Sequence, residues 1–232
     1  MTNNTTPLPP LSMYRITTKL FTHMERSITL SFGAEGKRLL EKGLERFGFK
    51  EAQAIAEQAT AEGEDHVLDN YIPDSYDSID KYEGLTIYSL MAKLFAQVTK
   101  AVVDVYGEKG KDAIREGVRT FGEERGNGIA HRAAHMGEKN TIDNYLSNYD
   151  MGRSELFEFE NIFKENVIEQ TFTKCPFGEQ WAKDGMHEYG ILYCEMIDPA
   201  VAKGFNPKFE VEHEEYVLKE GRCTFKFKLD EK

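Results

Sequence analysis

Cysteine is scarce in this 232-residue chain: three residues, Cys175, Cys194 and Cys223, odd in number and widely spaced. That excludes a disulfide framework and makes a reducing compartment, the cytoplasm, the expected location. No apolar run approaches the roughly 20 residues that a membrane span needs. The N-terminus lacks a charged start followed by an apolar stretch, so no signal peptide is expected. Positive charge is also short, with 29 Lys plus Arg against 40 Asp plus Glu, a formal net charge of −11. Nucleic-acid binding through phosphate contacts needs a concentrated basic face and is not expected. Docking on an anionic membrane surface is disfavoured for the same reason.

What is present is ordinary for a globular protein: 40 % hydrophobic and 30 % charged residues, in a chain long enough to bury a core. Residues 1–12, with Pro7, Pro9 and Pro10 among Thr and Asn, read as a flexible tail. Residues 13–150 read as helical. Apolar residues recur at helical spacing over 11–30 and 34–48, and 50–62 is Ala-rich. The polar and aromatic stretch 63–83 reads as a loop or short turns. Ile87, Leu90, Leu94, Val98, Val102 and Val105 predict a central helix over 85–105, and a further helix is expected from Lys109 to about His135.

The helical half contains an echo. Gly33-x-x-Gly36-Lys37 followed by Gly43-Leu44-x-x-Phe47-Gly48 matches Gly107-x-x-Gly110-Lys111 followed by Gly117-Val118-x-x-Phe121-Gly122, at a constant offset of 74. Two readings are open: similar amphipathic helices with Gly-flanked ends, or a duplicated helix pair around pseudo-symmetry. Gly-x-x-Gly-Lys is not a phosphate-binding loop, because the full spacing and the following Ser/Thr are absent.

After Arg153 the period becomes two. Phe157 and Phe159 alternate with Glu158 and Glu160, and Ile168, Gln170 and Phe172 alternate after a turn, which predicts a hairpin. Residues 176–197 read as helix broken at Gly185. A second hairpin, 208–217 with 222–229, closes the chain. Opposing Glu214 to Lys226 and Glu212 to Lys228 gives its register, since opposite charges across a ladder are favourable. The other face then carries Val211, His213, Glu215, Val217, Cys223, Phe225, Phe227 and Leu229. His213, Glu215 and Cys223 are polar intruders there, so they pair with one another or line a pocket. The fold class expected is α+β: a helical half packed on a C-terminal antiparallel sheet of about four strands with helices, residues 154–232. The halves follow one another without a low-complexity linker.

Cys175 precedes Pro176, and proline favours the first helical position. A thiol there meets the unpaired N–H groups and dipole of a helix start, which stabilise a thiolate. It is therefore the candidate nucleophile, or else a small buried hydrophobe at a strand–helix junction. Cys194 and Asp198 share a face if their segment is helical. Asp198-Pro199 equally reads as a helix cap and first residue, with Gly204 ending a short turn. Cys223 is a pocket residue or core. Trp181, Phe177, Tyr189, Tyr193 and Phe205 wall an apolar pocket or belong to the core. Metal binding is weakly signalled: no cysteine pair has C-x-x-C spacing, and His131 and His135, at i, i+4, lack a third ligand. No cofactor is expected.

Four strings, in order, resemble the family named after L-2-amino-thiazoline-4-carboxylic acid hydrolase. They are Thr173-Lys174-Cys175-Pro176-Phe177, Tyr193-Cys194-Glu195-x-x-Asp198, Gly204-Phe205-Asn206-Pro207 and Gly221-x-Cys223-x-Phe225. Tyr106-Gly107-x-x-Gly110 and the Gly117–Gly126 stretch are similar too, so the resemblance covers roughly residues 85–232. It implies a cytoplasmic, bacterial-type hydrolase that opens a cyclic amidine, a thiazoline ring, to a carbamoyl-cysteine. The last hairpin also resembles the small-ligand-binding 4-vinyl reductase domains, which favours a ligand-binding α/β fold.

The expected function is hydrolysis of a C–N bond in a small cyclic amidine or amide. Cys175, Cys194, Asp198 and His213 are the catalytic candidates. Asn206, Tyr193, Cys223 and Glu215 are the substrate-binding ones. The partner is a small molecule, a carboxylate included, for which Arg132 or Lys174 supplies local positive charge, and a homo-oligomer is compatible. The alternatives are a non-catalytic ligand-binding or sensor domain, or a cysteine-ligated metal protein.

Overall fold

The computed structural model describes residues 6–77, 82–152 and 155–230. In chain order the helices are α1 (Met13–Phe47), α2 (Phe49–Ala61), α3 (Ile87–Tyr106), α4 (Glu108–His135), α5 (Ile142–Ser147), α6 (Pro176–Lys183), α7 (His187–Cys194), α8 (Ile197–Phe205) and α9 (Val217–Glu220). The strands are β1 (Glu158–Lys164), β2 (Val167–Lys174), β3 (Glu210–Glu215) and β4 (Cys223–Lys228). The α+β class and both hairpins match the sequence reading. The chain divides into two compact units that interleave along the sequence. One is residues 13–118 with 176–193; the other is 1–12, 119–175 and 194–232. The change from helices to strands falls between α5 and β1.

The two halves of the internal echo repeat one local geometry. The backbone breaks at Gly33 (φ 58°, ψ −134°) and at its equivalent Gly107 (φ 55°, ψ −128°), conformations that an L side chain rarely adopts. Each break joins two helical stretches. The contacts obey the same offset. A Cβ at Gly43 would lie 2.7 Å from the Val98 Cα, and one at Gly117 would lie 2.8 Å from the Met24 Cα. Met24 and Val98 are 74 positions apart, as are Gly43 and Gly117. Phe32 stacks on Tyr106 at 3.8 Å and 6°. Those two residues are equivalent, so their contact lies on the pseudo-two-fold axis. Glycine is required where two helices approach this closely, since any side chain would hold them apart.

The aromatics of α6 and α7 belong to the first unit's core. Trp181 is 1 % exposed and its indole N–H donates to the Ala92 carbonyl at 2.8 Å. Phe95, Phe177 and Tyr193 surround it at 5.8–6.1 Å. Gly190 presses on the indole face, where a Cβ would come within 2.4 Å.

The second unit holds a four-stranded antiparallel sheet in the order β1-β2-β4-β3. Its inner face carries Ile168, Gln170, Phe225, Phe227 and Leu229, all buried, against Tyr145, Phe205 and Phe209. The charge-based register of the second hairpin is displaced by two residues: Glu212 lies opposite Lys226 and Glu210 opposite Lys228. An even displacement keeps every side chain on its face. Lys226 still binds Glu214 and Lys228 still binds Glu212, now as diagonal ion pairs. A bulge between His213 and Glu215 ends the alternation.

Gly204 lies one residue from the end of the short helix α8, at the point where it crosses α4. A Cβ on Gly204 would meet the Glu123 carbonyl at 2.2 Å, and one on Gly126 the Val201 carbonyl at 2.1 Å. Gly122 and Ala200 complete the crossing. Residues 8–11, read as part of a flexible tail, are held in place: Arg132 donates to the Leu8 and Pro9 carbonyls, and the Leu11 N–H donates to the Asp150 carbonyl.

Candidate functional site

The second unit gathers Cys175, Cys194, Asp198, Cys223 and His213 from four segments. Cys175 lies between the end of β2 and Pro176, the first residue of α6, as the proline predicts. Cys194 ends α7, and Asp198 is the second residue of α8, whose cap position is Met196. Asp198 is therefore not the cap, and it shares no continuous helix with Cys194. The two nonetheless interact electrostatically, since a charge on Cys194 would feel Cys175, Cys223 and Asp198. None of the three cysteines is in a disulfide.

Burial governs the chemistry of these groups. It pushes the Cys194 thiol well above its ordinary value, and the nearby thiols and Asp198 push it further. Burial likewise lifts Cys223 to about 12, although the Val217 N–H donates to its sulfur at 3.1 Å. Both are neutral thiols at pH 7 and not nucleophiles as they stand. Cys223 pins the α9 turn against the start of β4. Asp198 is lifted by burial to about 6, and the Arg125 guanidinium pulls against that rise. Cys194 and Asp198 keep a little accessible surface.

His213 lies between two rings, at 3.6 Å from Tyr216 and 4.0 Å from Phe225. Both of its ring nitrogens are buried without a well-formed hydrogen bond, and the backbones of Glu215 and Cys194 lie close enough to favour its protonated form weakly. Burial drops it to about 4, so it is a neutral imidazole at pH 7 and a weak base. Burial raises the Tyr216 phenol, and the charges of Glu195, Cys194, Asp198 and Cys223 raise it further.

Three of the expected binding residues are engaged elsewhere. The bulge turns Glu215 off the inner face to Arg222 (2.6 Å) and Thr224 (3.1 Å), which hold its carboxyl below the usual range. Asn206 donates to the Asn140 carbonyl at 2.9 Å and accepts from the Lys208 N–H at 3.0 Å, so its amide fixes a turn. Tyr193 is one of the rings around Trp181 in the other unit. Arg132 is occupied by the carbonyls of Leu8, Pro9 and Asn148. Among the described residues, no group of three or more His, Cys, Asp or Glu is arranged to hold a metal ion.

Five polar residues went unnoticed in the sequence. Arg125 and Asp150 form a buried bidentate pair at 2.8 and 2.5 Å, with both side chains under 5 % exposed. The guanidinium also lies over the Tyr149 and Phe121 rings. Tyr145, fully buried, and Tyr149, partly exposed, lie beside it, and desolvation raises both phenols, Tyr149 to about 12. Tyr216 is the fifth. Arg125 carried one signal: it sits on the apolar stripe Ile114, Val118, Phe121, Ile129 of α4, where a lone charge demands a partner. Separately, Glu123, Asn127, Asn140, Lys203 and Phe205 line an open recess of about 390 Å³.

A helical unit, and a four-stranded antiparallel sheet unit holding three largely buried thiols and a carboxyl that titrates near 6, define an α+β protein. The sequence pattern of the L-2-amino-thiazoline-4-carboxylic acid hydrolase family matches residues 88–227, and the chain belongs to that family. No curated protein matches the chain. Among solved structures, one from work on heme distortion in the H-NOX family is similar, at 13 % identity and a TM-score of 0.41, covering 92 % of this chain and 95 % of that one. An unliganded Fe(II) H-NOX protein mutant from K. algicida is similar at 17 % identity and a TM-score of 0.38, covering 92 % and 96 %. No helix among the described residues is long and apolar enough to cross a membrane.

Proposed function

We propose that the chain hydrolyses a C–N bond in a small cyclic amidine or amide, with Cys175 as nucleophile and Asp198 as the proton carrier. The observation that supports this most is the carboxyl of Asp198, lifted to about 6 among three cysteines inside the family-matched stretch. A group that titrates near the working pH exchanges protons most effectively. The Asp198 carboxylate takes the Cys175 thiol proton as sulfur adds to the electrophilic ring carbon. It returns that proton to the ring nitrogen as the C–N bond breaks. Water then attacks the thioester-like carbon, giving a proton to Asp198, and the carbon–sulfur bond breaks to restore the thiol. His213 is neutral and Cys194 protonated at pH 7, so both serve here as polar walls of the site and not as bases.

The test is turnover of L-2-amino-thiazoline-4-carboxylate, hydantoins and related rings, with products read by mass. Cys175→Ser is expected to lose at least a hundredfold in kcat, and Asp198→Asn to lose activity together with the limb near pH 6. Full activity in Cys175→Ser would end the nucleophile assignment. A second reading, ligand binding without turnover, is favoured by one observation: Cys194, Cys223 and His213 are all held neutral. Saturable binding of these rings with no product would establish it.

A further inference from the structure

The sheet has β1 at one edge, paired with β2 on one side only. Three large apolar side chains are exposed on this seven-residue strand: Phe159 at 46 %, Ile162 at 56 % and Phe163 at 62 %. Phe159 and Phe163 are on the inner face, because they pair with Phe172 and Ile168, which in turn pair with Cys223 and Phe227. Two apolar rows thus run out of the core and stop, uncovered, at the edge. Such an edge is a template for a further strand.

The geometry points to a second copy of this chain as that strand. β1 reads Glu158-Phe159-Glu160-Asn161-Ile162-Phe163-Lys164, with Asn161 at its centre. Laid antiparallel on itself about Asn161, it places Glu158 opposite Lys164 at both ends and Phe159 opposite Phe163 at both inner positions. Asn161 meets Asn161 on the two-fold axis, where each amide, already accepting from Gln170 at 2.8 Å, has its N–H groups to offer. Opposite charges and aromatic pairs directly across a ladder are the favourable ones. An arbitrary partner strand would have no reason to match this order. The pairing joins two four-stranded sheets into one of eight strands and carries the row Phe227–Ile168–Phe163 into Phe159–Phe172 of the other copy. The contact is isologous, as closed dimers require.

Sedimentation velocity over a concentration series tests this on the full chain. The wild type is expected to show a reversible dimer. Glu158→Lys sets lysine against lysine at both ends of the interface, and Lys164→Glu sets glutamate against glutamate. Each is expected to weaken the dimer at least tenfold. An equimolar mixture of the two variants restores opposite charge at every end pair and is expected to recover association. Lys164 also reaches Glu169 at 2.5 Å and Glu158 reaches Lys174 at 3.7 Å within one copy. These are exposed pairs of little weight, so melting of the variants should be unchanged. Phe163→Ser is expected to leave a monomer. A wild type that is monomeric at every concentration, a dimer indifferent to the reversals, or a mixture that does not associate would each overturn the proposal.

Discussion

Replacing Gly126 by alanine tests the α4–α8 crossing against a control in the same helix. A Cβ at Gly126 would sit 2.1 Å from the Val201 carbonyl oxygen, 2.6 Å from the Phe205 nitrogen and 2.7 Å from the Gly204 Cα. All three are backbone atoms, so no rotamer change relieves the contact. Real Cβ atoms stay beyond 3.0 Å, so the helices must separate by about 0.9 Å or α4 must bend. Overpacking of a filled core costs roughly 1–3 kcal/mol, and a backbone clash belongs at the upper end. Alanine recovers about 1 kcal/mol of helix propensity, leaving a net loss of about 2 kcal/mol. Gly128, two residues further on, is exposed with nothing within 4 Å, so Gly128→Ala keeps only the gain of about 1 kcal/mol. The two variants therefore differ by about 3 kcal/mol and in sign. For a domain of this size that is a separation in Tm of about 6–12 °C. Parallel thermal and urea melts read it directly. Equal stabilisation by both substitutions would refute the crossing as described.

The pH dependence of stability carries two opposed contributions. Asp198 binds its proton more tightly when folded, so its contribution falls as pH rises from about 4 to about 6, by up to about 3 kcal/mol. His213 binds its proton less tightly when folded, so its contribution is lost as pH falls from 6.5 towards 4, and partial solvent screening makes it smaller. Asp198→Asn should leave a stability that rises with pH across this window, and His213→Phe one that falls, as urea midpoints at several pH values would show. Arg125→Met strands the buried Asp150 carboxylate and should cost about 3–5 kcal/mol, whereas Arg125→Met with Asp150→Leu should recover most of it. Gly43→Ala and Gly117→Ala occupy equivalent positions of the repeated geometry and should destabilise by similar amounts, about 1–3 kcal/mol in chemical denaturation.

Periodicity made most elements legible. The stripe Ile87–Val105 locates α3 to within two residues, and the Phe159/Glu160 alternation locates β1. Even the ion pairs of the last hairpin follow from charge alone, because Lys226 and Lys228 reach a diagonal neighbour as readily as an opposite one. Its register did not follow, since the bulge beside Glu214 leaves no mark in the pattern. That bulge also explains Glu215, which alternation places inside and the structure places outside. At the candidate site, Cys175, Cys194 and Asp198 stand out within motifs, and His213 as a polar residue on the inner face of the last hairpin. What spacing cannot reveal is burial, which here decides whether a thiol or imidazole is charged. Asp150 is an ordinary surface-type residue until Arg125, 25 positions earlier, is seen against it. Gly122, Gly126 and Gly204 stand in family-like strings for a reason visible only once two distant helices are in contact.

The repeated geometry of α1 and of α3 with the start of α4 has a consequence for how such helix pairs assemble. Only its second copy, α3 with α4, lies almost wholly within the family-matched stretch; the first copy precedes it. The first copy presents Met24 to Gly117 and Gly43 to Val98, the contacts that a twin of the second copy would make. Covalent linkage makes that association intramolecular, with the millimolar effective concentration that a short tether provides. A relative that carries the second copy alone would have to recruit the same face from another molecule. Its folding would then depend on protein concentration, a dependence from which this chain's tandem copies release it.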